Sequence, residues 1–310
     1  MKVISFILFA LLFFLKNTDA QNCSNLFSNI NTTYLTENLK SLSKFVTRNP
    51  NTSSGVFASE WITLSLQNLV ASNPNFYVKT FSHKNTGNMK SILVEWRGGK
   101  TSNTPLVLTS EISTSDIESE YSPGANKGSG AIALMEIVRI LATQNTFNPD
   151  RTIHFLFSVL PAQSETLATE YEMVQWYKSN YSSVYLVVSL FQILNRNTNI
   201  TASLAKDVYV SDPIGSYPTT LKSSLVSAAS QGSVSNGSFS CVATNPKCRE
   251  RLFWSSNNLP FIFLTRAGTS DTHLDTNVDT VNDKIASPLT IADSLLPVIK
   301  TGVCYVMQNN

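Results

Sequence analysis

The stretch Ser122–Leu141, SPGANKGSGAIALMEIVRIL, is where this sequence comes nearest to chemistry. A glycine-bearing loop runs into an amphipathic helix, and a helix N-terminus offers unpaired N–H groups beside which anions and reactive side chains are stabilised. The positions after Gly124 and Ala125 hold Asn126 and Lys127, an amide and a cation. An amide is neutral and a lysine is protonated at neutral pH, so neither serves as a general base or as an anionic bridge between two dications. The free N–H groups and Lys127 instead favour an anion, such as a carboxylate or the C-terminus of a peptide.

Other reactive candidates are few. His83 lies in a polar turn, His154 within an apolar run, and His273 between Asp271 and Asp275. A lone histidine in a buried strand reads as a satisfied core residue. The Gly128-Ser129-Gly130 triplet is not a nucleophile elbow, which needs a preceding strand and a partnered histidine. Ser129 reads as part of the turn into the helix. The four cysteines are Cys23, Cys241, Cys248 and Cys304. An even count in an oxidising compartment suggests two disulfides, which leaves no thiol nucleophile. Of the three connectivities, the favoured one closes the short loop CVATNPKC through Cys241 and Cys248 and ties the ends through Cys23 and Cys304. No Cys-x-x-Cys pair is present to suggest a metal.

The compartment follows from residues 1–20, MKVISFILFALLFFLKNTDA. Lys2, the apolar run Val3–Leu15 and small residues at Thr18 and Ala20 make a secretory signal, shorter than the ~20 residues that span a bilayer. The expected mature chain is one domain over residues 21–310, secreted and without membrane insertion. Glycosylation triplets stand at Asn22, Asn31, Asn51, Asn180, Asn199 and Asn236, and each used one must face solvent. Hydrophobic residues make up 42% of the 310, ample for a core. Charged residues are only 14% and the net charge is +2, so no basic surface argues for nucleic acid.

The elements that must position any site alternate in kind. Helical spacing predicts helices over 36–45 and 55–71, the second with Trp61, Leu64, Leu66 and Leu69 as its apolar positions. Runs 76–81 and 91–96 read as neighbouring strands at a sheet edge. Buried strands are expected at 105–110, 151–160, 184–194 and 259–265, with a further strand at 207–212. Helices are expected from Gly128 to Leu141 and over 165–177, 218–230 and 288–307. This order predicts an α/β fold, a mostly parallel central sheet with helices on both faces. Ligands of such sheets sit at the carboxyl ends of the strands, where the Ser122–Leu141 loop must lie.

Taken together, PLVLTSEISTS, SPGANKGSGAIALMEIVRIL, RTIHFLFSV, VYLVVSLFQ, LPFIFLT and LDTNVDTVND resemble the secreted zinc aminopeptidases of the MH clan, from Thr36 to the C-terminus. Bacterial leucyl aminopeptidases, glutaminyl cyclases and the non-catalytic ectodomains of transferrin receptor and nicastrin share that fold. The resemblance implies a site of two zinc ions, two histidines, a bridging aspartate, two further carboxylates and a glutamate base. Two close dications need an anionic bridge and neutral imidazole donors.

Carried over residue by residue, the first histidine falls at Glu111 and its supporting aspartate at Ser113. The bridging aspartate falls at Asn126, the ligand aspartate after the next strand at Ser189, and the last histidine at Asp275. The tandem glutamates fall near Ala162 and Gln163, with Glu165 a few residues late. The Cys241–Cys248 loop resembles a disulfide loop of the family. Phe253, Trp254 and Phe261 read as core residues that could also line the pocket.

The expectation is therefore an aminopeptidase fold with a degenerate site: no cofactor, no catalytic residue, and a peptide or protein ligand in the former cleft. The rival is a divergent aminopeptidase that binds zinc through Glu111, Glu165, His273 and Asp275. A third reading is a purely structural module.

Overall fold

A computed structural model describes residues 23–45, 47–84, 87–114, 125–145, 147–159, 168–191, 193–194, 200–207, 235–241, 259–266 and 291–309, with 224, 227, 228, 230, 231, 254 and 257. A 3-10 turn at Cys23–Asn29 leads into helices α1 (Thr32–Leu42) and α2 (Ser53–Val70). Strands β1 (Phe76–Ser82), β2 (Lys90–Trp96) and β3 (Thr101–Glu111) follow, then α3 (Ala125–Ala142), β4 (Arg151–Ser158) and α4 (Ala168–Asn180). The remaining elements are β5 (Leu186–Phe191), β6 (Ile200–Asp207), β7 (Ser235–Cys241), β8 (Phe261–Arg266) and α5 (Ile291–Gln308).

All eight strands join one sheet in the order β1-β2-β4-β3-β5-β8-β6-β7. The central run β4, β3, β5, β8 is parallel, as expected of apolar strands covered on both faces. Antiparallel pairings flank it, β1 to β2 and β2 to β4 on one side and β8 to β6 on the other. The edge hairpin read from residues 76–96 is therefore present.

Alternation along each strand sorts the core into two layers. Val94, Leu106, Leu108, Phe155, Val188 and Ile262 face a broad aliphatic layer under α1, α2, α3 and α5. Their neighbours Leu93, Val107, Leu156, Val187 and Phe261 face α4, through Met173, Val174 and Tyr177, together with Trp254.

Two helices differ from their sequence reading for identifiable reasons. α1 begins at Thr32 because Asn31 caps it, its Oδ1 accepting the Tyr34 N–H at 2.9 Å. The buried stripe is Leu35, Leu39 and Leu42, while Phe45 lies past the helix end against Trp61. α2 buries Ala58, Ile62, Leu66 and Val70; of the expected stripe Leu66 is buried, Trp61 and Leu69 are partly buried against the core, and Leu64 is 61% exposed. Small residues let this helix approach closely, since a Cβ at Gly55 would lie 2.2 Å from the Asn49 carbonyl oxygen.

β6 at Ile200–Asp207 ends on the first residue of the strand expected at 207–212, and 208–212 lie outside the described residues. β7 was not anticipated. Within the expected helix 218–230, the described residues 224, 227, 228 and 230 are helical. Cys23 and Cys304 form the expected disulfide, joining the first turn to α5 across a separation of 281 residues. Cys248 lies outside the described residues, and with it the Cys241 pairing.

Candidate functional site

The parallel strands end together at one rim of the sheet, and α3 starts there. Its first residue is Ala125, so Asn126 and Lys127 belong to the first helical turn and not to the preceding loop. α3 sits very close to the strands: a Cβ on Gly130 would meet the Leu190 carbonyl oxygen at 2.2 Å and Ser110 Oγ at 2.5 Å. Only glycine permits that approach. Ser129, wholly buried inside the helix, accepts the Ile193 N–H through Oγ at 3.1 Å and pins the exit of β5. The Gly-Ser-Gly triplet is thus packing chemistry, as its sequence context suggested.

Glu111 closes β3 and is 5% exposed. It pairs with Ser158 of β4 across the sheet, and Ser113 Oγ donates to its Oε1 at 3.3 Å. Residues 112–114 prolong β3 without being strand. The Ile112 N–H donates to the Ser158 carbonyl, and the Thr114 N–H donates to the Arg48 carbonyl. Arg48 answers with its own N–H to Thr114 Oγ1 at 3.0 Å and its Nε to the Ile112 carbonyl at 2.8 Å.

Arg48 is wholly buried. A charge so placed is costly unless hydrogen-bonded, which marks this guanidinium as a deliberate clamp on the rim. Sequence reasoning missed it, because a single arginine ahead of an Asn-Pro turn carries no periodic signal.

Two of the positions matched to metal ligands have described side chains, Glu111 and Ser189. Ser189 is wholly buried and lies in register between Thr109 of β3 and Phe263 of β8. Thr109 is equally buried, and its Oγ1 has no hydrogen-bond partner among the described residues. Among the described residues the rim therefore presents one carboxylate above neutral hydroxyls. Those groups by themselves do not make up the donor set of a zinc pair, which calls for imidazoles and several carboxylates. Among the described residues no group of three or more His, Cys, Asp or Glu could hold a metal. The side chains of Asn126 and Lys127, and residues Ala162, Gln163, Glu165, Asp271, His273 and Asp275, lie outside the described set.

Beside the rim, the His83 read as a turn residue is in fact buried. Its Nδ1 lies 3.0 Å from Glu172 of α4 and its Nε2 2.8 Å from Ser91 Oγ, which in turn accepts the Val159 N–H at 3.0 Å. Burial lowers the His83 pKa despite Glu172, so the ring is neutral at physiological pH. With the Ser91 hydroxyl donating to Nε2, Nδ1–H is directed at Glu172. The serine is fully buried, so the chain Glu172–His83–Ser91–Val159 works as a tie between α4, β2 and the end of β4.

Deeper on the same face, His154 is a core residue, as read from its strand. Its Nδ1 meets the Tyr177 hydroxyl at 3.1 Å, and its Nε2 meets the Tyr181 hydroxyl at 3.3 Å. Glu95 Oε2 is 3.7 Å from Nε2. Lys79 and Arg97 each donate to the Glu95 carboxylate at 2.8 Å. Burial lowers the His154 pKa, while His154, Lys79 and Arg97 hold the Glu95 carboxyl well below the usual carboxylate range. Trp254 and Phe261 are core residues here, and Phe253 lies outside the described set.

No protein-family model matches the chain. Among solved structures it is similar to the LapA aminopeptidase of Legionella pneumophila, with a TM-score of 0.74 at 15% identity, covering 93% of this chain and 73% of that one. A Zn-dependent exopeptidase of Parabacteroides distasonis matches with a TM-score of 0.63 at 15% identity, over 91% of this chain and 99% of that one. A glutaminyl cyclase of Porphyromonas gingivalis matches with a TM-score of 0.66 at 15% identity, over 89% and 98% respectively. Likeness at this identity shows a common fold and nothing of activity.

Proposed function

We propose that an aminopeptidase-like fold here serves binding or regulation and not peptide hydrolysis, in a secreted, glycosylated protein whose residues 21–310 form one domain. The observation that carries the reading is the donor set at the rim: Ser189 stands where the resemblance puts a ligand aspartate, and Glu111 where it puts a histidine. A hydroxyl is a poor zinc ligand, and a lone carboxylate leaves two dications unbridged. The substitutions at Asn126, Asp275, Ala162 and Gln163 point the same way. The ligand proposed is a peptide or protein bound at the carboxyl ends of the parallel strands, where α3 starts. Among the described residues no helix is long and apolar enough to cross a membrane, and the Cys23–Cys304 disulfide accords with an oxidising compartment.

Zinc per chain, measured by elemental mass spectrometry on protein secreted from eukaryotic cells, tests this. Near-zero zinc, before and after zinc incubation and desalting, is the expected result. One or two zincs per chain, with chelator-sensitive release of N-terminal residues from peptides, would establish instead the rearranged site of Glu111, Glu165, His273 and Asp275.

A further inference from the structure

The end of α4 and the residues just after it hold a feature that the rim does not use. Asn180 is exposed and begins the acceptor triplet Asn180-Tyr181-Ser182. Its Nδ2 donates to the Trp176 carbonyl at 2.8 Å, so the side chain folds back over the preceding helical turn. Trp176 and Tyr181 are only partly buried, and both border the aromatic layer around His154. Their rings lie edge-on at 5.7 Å, and the indole also meets Phe81 at 5.0 Å and Tyr177 at 5.0 Å.

Resting on the secretion reading above, we infer that Asn180 carries an N-linked glycan whose first N-acetylglucosamine packs on the partly exposed surface of Trp176 and Tyr181. The carboxamide nitrogen has two hydrogens. Glycosylation replaces the hydrogen cis to Oδ1 and keeps the one on the Cβ side. The inferred packing requires that the retained hydrogen be the one directed at the Trp176 carbonyl, in which case the bond holds the first sugar within a helical turn of the indole. In the transfer, Nδ2 forms a bond to the sugar C1 while C1 leaves a polyprenyl pyrophosphate carrier. The displaced amide proton ends on the pyrophosphate.

The Asn31 and Asn51 triplets are built differently, and the Asn236 triplet lies within β7. Asn31 Oδ1 caps α1, and its backbone N–H is held by Glu136 at 2.7 Å. Thr52, the acceptor hydroxyl of the Asn51 triplet, accepts the Gly55 N–H and donates to the Asn49 carbonyl. Neither asparagine is folded back on a helical turn that carries a tryptophan. The proposed occupant gives the aromatic border of α4 a cover that is covalently part of the same molecule. It also makes this face unsuited to a flat protein interface.

The test uses the full chain secreted from eukaryotic cells, as wild type, Ser182→Ala, Ser182→Thr and Asn180→Gln. Glycopeptide mass spectrometry is expected to find Asn180 occupied in wild type and in S182T, and bare in S182A. Both S182A and N180Q should melt about 2 °C lower, the shift expected when a protein of this size loses one modest surface contact. S182A also loses the Ser182 Oγ hydrogen bond to the Asn103 carbonyl and N180Q the Asn180 hydrogen bond to the Trp176 carbonyl, so the sugar is reported by the part of each loss that disappears when wild type and variants are compared after production with N-glycosylation inhibited. Trimming to a single N-acetylglucosamine should leave the melting temperature unchanged, with the N-acetyl methyl resonance displaced upfield by the ring. An unmodified Asn180 in a protein modified at Asn51 overturns the inference and leaves secretion standing. A chain retained in the cell with every triplet bare overturns the secretion reading and the inference together. Occupancy with unchanged melting and an undisplaced methyl resonance overturns the packing.

Discussion

Two acidic residues on the same sheet face, Glu95 and Glu111, show how differently one fold can treat a buried carboxylate. Glu95 sits deep, between His154, Lys79 and Arg97, with Tyr177 and Tyr181 completing the histidine. Every one of those contacts comes from an element of the sheet, from α4 or from the residues flanking them, so the carboxylate is part of the framework. Glu111 stands at the rim, beside Ser113 and Ser158, where strands end and loops take over. Polar groups deep in a core have to be satisfied by structure, whereas those at a rim can be exchanged without loss of the fold. A rim of this kind can change its side chains while the sheet beneath it stays.

Breaking the rim scaffold should cost most. Gly130→Ala places a methyl group against the Leu190 carbonyl oxygen and Ser110 Oγ, and the expected loss is about 3 kcal/mol or more, read by chemical denaturation. Glu95→Gln comes next, at about 2 kcal/mol. It removes the charge facing two cations and leaves His154 with Tyr177 and Tyr181, and Lys79 and Arg97 reach solvent, which keeps the loss below that of a fully buried pair. Glu111→Gln, which keeps shape and hydrogen-bonding capacity, should cost under about 1 kcal/mol. A larger loss from E111Q than from E95Q, in the same thermal melts, would reverse the comparison.

Acidity separates the two ends further. His83 and His154 have folded pKa values below the ordinary 6.5, so the unfolded chain takes up protons first as the pH falls. Their contribution is complete above 6.5 and is lost as the pH drops towards the folded values, at up to about 1.4 kcal/mol per pH unit for each. Glu95 behaves with the same sign in a lower window: its contribution is present above 4.5 and is lost below it. Thermal melts from pH 7.5 to 5.5 should therefore fall in wild type and flatten in part in His83→Gln.

Much of the fold was readable because central strands are apolar runs that nothing else explains. β4 and β5 fall within their expected stretches, and β2, β3 and β8 overlap theirs, β3 running from Thr101 to Glu111 where 105–110 was expected. β7, SNGSFSC, was not readable, since serine, asparagine and glycine have little preference for strands and its pairing to β6 is set by tertiary context. The stripe of α2 was half right: Leu66 is buried and Trp61 and Leu69 pack against the core, but Leu64 is exposed while Ala58, Ile62 and Val70 are buried. At the rim, Glu111 and Ser189 were placed by a pattern of neighbours. Arg48 and His83 act through contacts 64 and 89 residues away in sequence, which no local pattern announces.

The bridge between Cys23 and Cys304 has a mechanical consequence. With 281 residues of separation shunted by one covalent link, tension applied at the two ends of the oxidised protein passes from the first turn to α5 and never reaches the sheet. Stretched in that state, the molecule would yield only its short flanking segments. Reduced, the same pull would begin to peel α5 from α3.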